Sequence, residues 1–216
     1  MNIDFARQQM IDQQVRAWAV LDPAVLAVLS AVPREDFVPP SYESLAFADT
    51  KIPLGRGEFM MTPTVEGRVL QALELRADDH VLEIGTGSGF LTACLAQLAG
   101  TITSVDIHED FVRAARHKLA DTGIDNVEIR TLDATRELPG DGFDAIAVTG
   151  SIETFDPRFA DALRPGGRLF VVVGSPPVME ARLVRRTGDA DWKSEALFET
   201  SLGPLVHGTL PPQFEF

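Results

Sequence analysis

Three observations predict an α/β fold, with a doubly wound, mostly parallel sheet, an antiparallel C-terminal hairpin and an N-terminal helical extension. Short apolar segments alternate with helical ones from residue 62 onward. The apolar segments are near-continuous hydrophobic runs, which suits strands covered on both faces. The pattern then changes at the tail to two longer segments separated by a turn at Thr187–Asp191, the mark of a hairpin on the sheet edge.

The elements follow in order. Ile11, Val15 and Trp18 fall at helical spacing, so the chain opens with an amphipathic helix. A second helix starts at Asp22, a capping residue followed by Pro23 in the first turn. Residues 33–63 are dense in Pro and Gly yet carry Phe, Tyr, Leu and Met, which predicts a long ordered loop with short pieces of structure. Thr62-Pro63 starts the next helix, over 64–75. Strands are expected at 80–84, 101–107, 127–133, 143–150 and 168–174. Helices are expected at 89–100, at 109–123 with Gly123 as its stop, and at 156–167. The segments 179–189 and 191–201 form the hairpin. Residues 1–61 read as a helical extension plus loop and 62–216 as a ligand-binding core, together one compact unit.

Composition limits the function. The chain has 216 residues, is 45% hydrophobic and carries a net charge of −13, so nucleic acid is not an expected partner. No apolar run approaches the ~18–20 residues of a membrane span. The single cysteine, Cys94, lies in an apolar run and reads as a core thiol. The expected setting is the cytoplasm. The four histidines, His80, His108, His117 and His207, are scattered and read as surface or satisfied side chains. No metal-ligand cluster and no Ser-His-Asp set is evident.

The chemistry concentrates in the stretch HVLEIGTGSGF, His80 to Phe90. Glycines at a strand-to-helix turn let the backbone approach a ligand, and the next helix presents free N–H groups. Open α/β sheets bind ligands at such carboxyl ends. Gly85, Gly87 and Gly89 give G-x-G-x-G rather than the G-x-G-x-x-G of dinucleotide sites. Glu83, two residues before the first glycine, would face a dinucleotide's phosphates unfavourably and suits a ligand with a cationic ammonium or sulfonium. Asp106 ends the second strand of the core, where an acid can accept both ribose hydroxyls. Asp133 ends the third. Each acid alone could cap a helix; all three beside one glycine turn point to a ligand.

The E-x-G-x-G-x-G arrangement resembles motif I of the class I S-adenosylmethionine-dependent methyltransferases. "VLAVLSAVPREDFVP", "IPLGRGEFMMTP", "VLEIGTGSGF", "FDAIAVTGS" and "LRPGGRLFVVVG" occur in that order and together resemble the protein-L-isoaspartate O-methyltransferase family. The resemblance implies a seven-stranded Rossmann-like methyltransferase sheet. It implies methylation of the free carboxylate of L-isoaspartyl or D-aspartyl residues in a protein or peptide substrate. It implies S-adenosylmethionine as cofactor, or S-adenosylhomocysteine as product, on Glu83, Gly85, Thr86, Gly87, Gly89, Asp106, Ile107, Asp133, Ala134 and Thr149, with Asp133 at the adenine. The substrate would meet Phe59, Met60, Met61, Thr62, Gly150 and Ser151, with Thr62 and Met61 at the reaction centre.

The loop departs from the family's pattern. Where the family reads Q-T-I-S-Q-P, this chain reads Glu58-Phe59-Met60-Met61-Thr62-Pro63, and its reaction-centre Ser becomes Met61. A methionine cannot donate a hydrogen bond to a carboxylate. A methyltransferase for a small-molecule acceptor and a non-catalytic S-adenosylmethionine-binding protein are therefore the alternatives. The N-terminal helices could cover the site, pack on the sheet edge or pair with another copy in a homo-oligomer.

Overall fold

The computed structural model describes residues 2–188 and 191–208. Asp189 and Ala190 of the expected hairpin turn, and the tail from 209, lie outside the described residues. Helix α1 (Ile3–Met10) runs on through a π turn at Ile11–Val15 and a 3-10 turn at Arg16–Trp18. The expected apolar stripe is buried only in part. Met10, Ile11 and Val15 are buried, but Trp18 is 41% exposed, because the π and 3-10 turns break the regular helical period that the stripe assumed. Helix α2 (Pro23–Ala31) starts as expected, with the Asp22 carboxylate accepting from the N–H groups of Ala24 and Val25. The Pro/Gly-rich stretch holds α3 (Arg34–Phe37), a 3-10 turn at Pro40–Leu45, and a small antiparallel hairpin of β1 (Ile52–Gly55) and β2 (Glu58–Met60). Helix α4 (Pro63–Leu73) follows, capped by Thr62.

The core then alternates β3 (His80–Ile84), α5 (Phe90–Leu98), β4 (Thr101–Asp106), α6 (Glu109–Asp121), β5 (Val127–Thr131), β6 (Phe143–Ile152), α7 (Pro157–Asp161) and β7 (Leu163–Ser175). Strands β8 (Val178–Arg186) and β9 (Trp192–Glu199) complete a seven-stranded sheet of order β5-β4-β3-β6-β7-β8-β9. The first five in that order run parallel, and the last two are antiparallel at one edge. One expectation needs correcting. The helix expected over 156–167 ends at Asp161, and β7 begins at Leu163. Pro165 and Gly166, the latter at φ +83°, cannot continue a helix. They form instead an irregularity in the β6–β7 register between Phe143 and Ala145.

Strand alternation decides what faces the site. Along β3, Val81 belongs to the larger core, shared with α2, α4 and α5, while Leu82 and Ile84 belong to a second core on the opposite face. Glu83 therefore shares the face of Val81. The crossovers go one way from β3 to β4 and the other way to β6, so the topological switch point lies between β3 and β6.

Candidate functional site

The glycine turn sits at that switch point. Gly85, Gly87 and Gly89 have φ of +98°, +52° and +86°, a region that side chains with a Cβ enter at a cost. At Gly85 the space is also taken: a Cβ would lie 2.2 Å from Thr149 Oγ1. That hydroxyl donates to the carbonyls of Gly85 and Ile84 at 2.7 and 3.0 Å, tying the turn to β6. Gly87 N–H donates to Asp106 Oδ2 at 2.9 Å, tying it to β4. Gly89 opens α5.

Glu83 is fully buried beneath this turn. Its Oε2 accepts from Thr92 and Ser104 hydroxyls, each at 2.5 Å. Its Oε1 has no partner. Burial pushes its carboxyl up to about 8, with the two hydroxyls acting the other way.

Two lobes meet at the turn. The first is about 500 Å³, lined by Glu83, Gly85, Thr86, Gly87, Asp106 and Thr149, and roofed by Leu54, Phe59, Met60 and Met61 of the small hairpin. The second is about 370 Å³, lined by Gly85, Asp106, Ile107, Asp133, Ala134, Leu205 and Val206. Gly85 and Asp106 line both, so the two lobes adjoin along the carboxyl ends of β3, β4 and β5. Asp106 stands at the junction. Its two oxygens accept from the N–H groups of Gly87 and His108, and burial raises its carboxyl above the usual range against those bonds. Each oxygen keeps lone pairs for a ligand hydroxyl.

The cleft thus gathers nine of the cofactor residues expected from sequence and three of the loop residues, Phe59, Met60 and Met61. Gly89 lies outside the lining. Thr62, Gly150 and Ser151 do not line it either. Thr62 Oγ1 accepts from Val65 N–H and pairs with Thr64 Oγ1 at 2.9 Å. Gly150 and Ser151 seat the C-terminal segment instead: Ser151 N–H donates to Gly203 O at 2.8 Å and Leu205 N–H to Ser151 O at 2.9 Å. A Cβ on Gly150 would meet Leu205 at 2.7 Å.

Sequence reasoning missed three contributors. Segment 202–207 closes the second lobe through Leu205 and Val206, and His207 Nδ1 lies 2.8 Å from Asp133 Oδ2. Its clue was only an apolar "PLV" beyond the last strand. His108, read as a surface or satisfied residue, lines the first lobe. Arg34 is fully buried. It donates to Met61 O and Ala46 O, each at 2.8 Å, and to Glu66, and so fixes the roof of the first lobe. An arginine flanked by Pro33, Glu35 and Asp36 reads as surface, which hid it.

Known proteins share this architecture and sequence. The sequence profile described as protein-L-isoaspartate(D-aspartate) O-methyltransferase matches residues 5–209. Protein-L-isoaspartate O-methyltransferase 2 of Pelobacter propionicus is 37% identical over 207 residues, covering 95% of this chain and 92% of its own. The protein of that activity name from Methanoculleus marisnigri is 37% identical over 184 residues, covering 84% of each chain. A Plasmodium falciparum structure, assigned as such an enzyme and solved with S-adenosyl-L-homocysteine, has a TM-score of 0.82 at 17% identity. It covers 95% of this chain and 99% of its own, a likeness of fold. Profile, relatives and sheet agree, and the chain belongs to the protein-L-isoaspartate(D-aspartate) O-methyltransferase family.

Proposed function

We propose that this protein methylates the free carboxylate of L-isoaspartyl or D-aspartyl residues in proteins and peptides, using S-adenosylmethionine held in the two-lobed cleft. Family membership gives the reaction class, an S-adenosylmethionine-dependent carboxyl methylation. The observation that carries the assignment of the cleft is Glu83 Oε1, buried and without a partner in the lining. A buried acceptor left unpaired is costly, and a ligand ammonium would satisfy it. The residues fit the rest of the cofactor as well. The close backbone approach at Gly85 and Gly87 would admit its amino-acid portion, Asp106 would take the ribose hydroxyls, and the lobe of Ile107, Asp133 and Ala134 would take the base.

Bound there, S-adenosylmethionine supplies a methyl group on a positively charged sulfur, which a carboxylate oxygen can displace. The acceptor's carboxylate has a reference pKa of ~4 and is already ionised at neutral pH, so the chain need not remove a proton. Its residues have to align the acceptor and exclude water. The apolar roof of Leu54, Met60 and Met61 is suited to the second task. Thr62, Gly150 and Ser151, outside the lining, support the site by holding α4 and the C-terminal segment. The net charge of −13 and the absence, among the described residues, of a helix long and apolar enough to cross a membrane support a reading without nucleic-acid or membrane partners. Cytoplasmic residence belongs to that reading, as does pairing of the N-terminal helices with a second copy, which Ile3 and Phe5, both exposed, would serve.

The test is transfer of labelled methyl from S-adenosylmethionine to an isoaspartyl peptide and to its ordinary aspartyl isomer. A base-labile ester on the first alone is expected. Cofactor binding without transfer would reject the acceptor. The apolar Met61 favours a second reading, an apolar small-molecule acid as acceptor, which transfer to a metabolite mixture and not to the peptide would support.

A further inference from the structure

Among the described residues, two side chains of the first lobe carry a buried polar atom without a hydrogen-bond partner: Glu83 Oε1 and His108 Nε2. The first is accounted for by the cofactor. The second has no role so far. His108 is well held. Its backbone N–H donates to Asp106 Oδ1 at 2.8 Å, and its ring stands edge-on to Phe111 with centroids 5.1 Å apart. Glu58 Oε1 of β2 lies 3.9 Å from the same Nε2, too far for a hydrogen bond. A carboxylate on that side favours the tautomer with hydrogen on Nε2.

An acceptor carboxylate needs a donor in this lobe. Met60 and Met61 offer none. The Thr149 hydroxyl is spent on the carbonyls of Ile84 and Gly85, and the Thr86 hydroxyl is paired with Ser104 at 2.6 Å. The Ser88 hydroxyl is engaged at the start of α5, accepting from Phe90 N–H at 3.2 Å. His108 Nε2 stands at the hairpin side, across from Glu58 on the loop that roofs the lobe.

We propose that His108 is the acceptor-binding residue of the cleft, its Nε2–H donating to one oxygen of the substrate carboxylate and leaving the other free to take the methyl group. The inference rests on the isoaspartyl reading above. His108 gains and loses no proton: the oxygen–carbon bond forms as the sulfur–carbon bond breaks, its electron pair staying on sulfur. A hydrogen bond to a carboxylate is stronger than one to a neutral group. The bond to His108 therefore weakens when the anion becomes an ester, which assists product release.

The experiment compares wild type, His108→Ala and His108→Gln with an isoaspartyl peptide, and measures S-adenosylhomocysteine binding to each by calorimetry. Truncation should raise the peptide KM about 10- to 100-fold, the worth of a hydrogen bond to a charged group. Cofactor affinity should stay within about twofold, since no contact of the imidazole is asked of the cofactor. The glutamine amide, which also donates, should restore most of the loss. An unchanged KM in His108→Ala would overturn the proposal, as would a cofactor Kd that rises in step with KM. If wild type itself makes no ester on the peptide, the isoaspartyl reading falls and this proposal with it. An active wild type with an unaffected His108→Ala removes only the role of His108.

Discussion

Replacing Arg34 with methionine should cost more stability than any other single change at the roof of the cleft. The Arg34 guanidinium is fully buried, donates to Ala46 O, Met61 O and Glu66, and lies over the Phe90 ring at 4.8 Å. Above about pH 8, where the buried Glu66 carboxyl is ionised, the variant leaves it without its counter-charge, a loss of about 3–5 kcal/mol. Two buried carbonyls lose their donors, at about 1 kcal/mol each. The sum, about 5–7 kcal/mol, rivals the total stability of a domain, about 5–15 kcal/mol. At about 2–4 °C per kcal/mol for a chain of this length, Tm should fall by about 10–28 °C. Glu66 can escape part of the penalty by taking up a proton, since burial already pushes its carboxyl up to about 8 against the pull of Arg34. The loss should therefore be fullest above about pH 8, where it is measured, and shrink below it, where Glu66 already carries a proton. Scanning calorimetry and urea unfolding read the effect. Arg34→Met combined with Glu66→Leu removes both charges and should recover at least half. A loss under about 2 kcal/mol, or a double variant no better than the single, would refute the reasoning.

Three further outcomes are expected. Gly85→Ala puts a Cβ 2.2 Å from Thr149 Oγ1 at a backbone φ of +98°. It should cost about 3 kcal/mol from backbone strain and displaced hydrogen bonds, whereas a change under about 1 kcal/mol in urea unfolding would show that the turn is not so constrained. Burial raises the Glu83 carboxyl from its usual 4.5 to about 8, so over that window the folded chain keeps a proton that the unfolded chain releases. Its contribution to stability is complete below pH ~4.5 and declines as pH rises to about 8, at up to ~1.4 kcal/mol per pH unit. Glu83→Gln should flatten that decline, and parallel pH–stability curves for the two proteins would speak against it. Met61→Ser places a hydroxyl donor in the first lobe, where the Met61 side chain lies in the lining. An increase in kcat/KM for the isoaspartyl peptide is expected, and an unchanged value would show that Met61 does not limit the reaction.

How much was legible in the sequence depended on how local the determinant was. The glycine turn, the acids ending β3 and β4, the caps at Asp22 and Thr62 and the seven sheet strands are written in neighbouring residues, through periodicity and capping chemistry. The helix expected over 156–167 failed because a strand irregularity at Pro165-Gly166 depends on pairing with β6, which no local window contains. Trp18 stands half-exposed because a π turn shifts the helical face. Arg34, His108 and the 202–207 segment went unread for a common reason. Each acts on a residue distant in sequence: Arg34 on Met61 and Glu66, His108 opposite Glu58, Leu205 on Ser151 and Gly150. The family resemblance places Thr62 at the reaction centre; in the structure its hydroxyl caps the helix that follows.

Calorimetric titration of S-adenosylhomocysteine into wild type and Glu83→Gln at pH 7, in two buffers of different ionisation enthalpy, tests the identity of the cleft most directly. With the Glu83 carboxyl at about 8, ammonium binding should expel most of one proton from wild type, and none from a Glu83→Gln variant that binds at least about tenfold more weakly. If wild type associates with neither S-adenosylhomocysteine nor S-adenosylmethionine, the cleft is not the cofactor site.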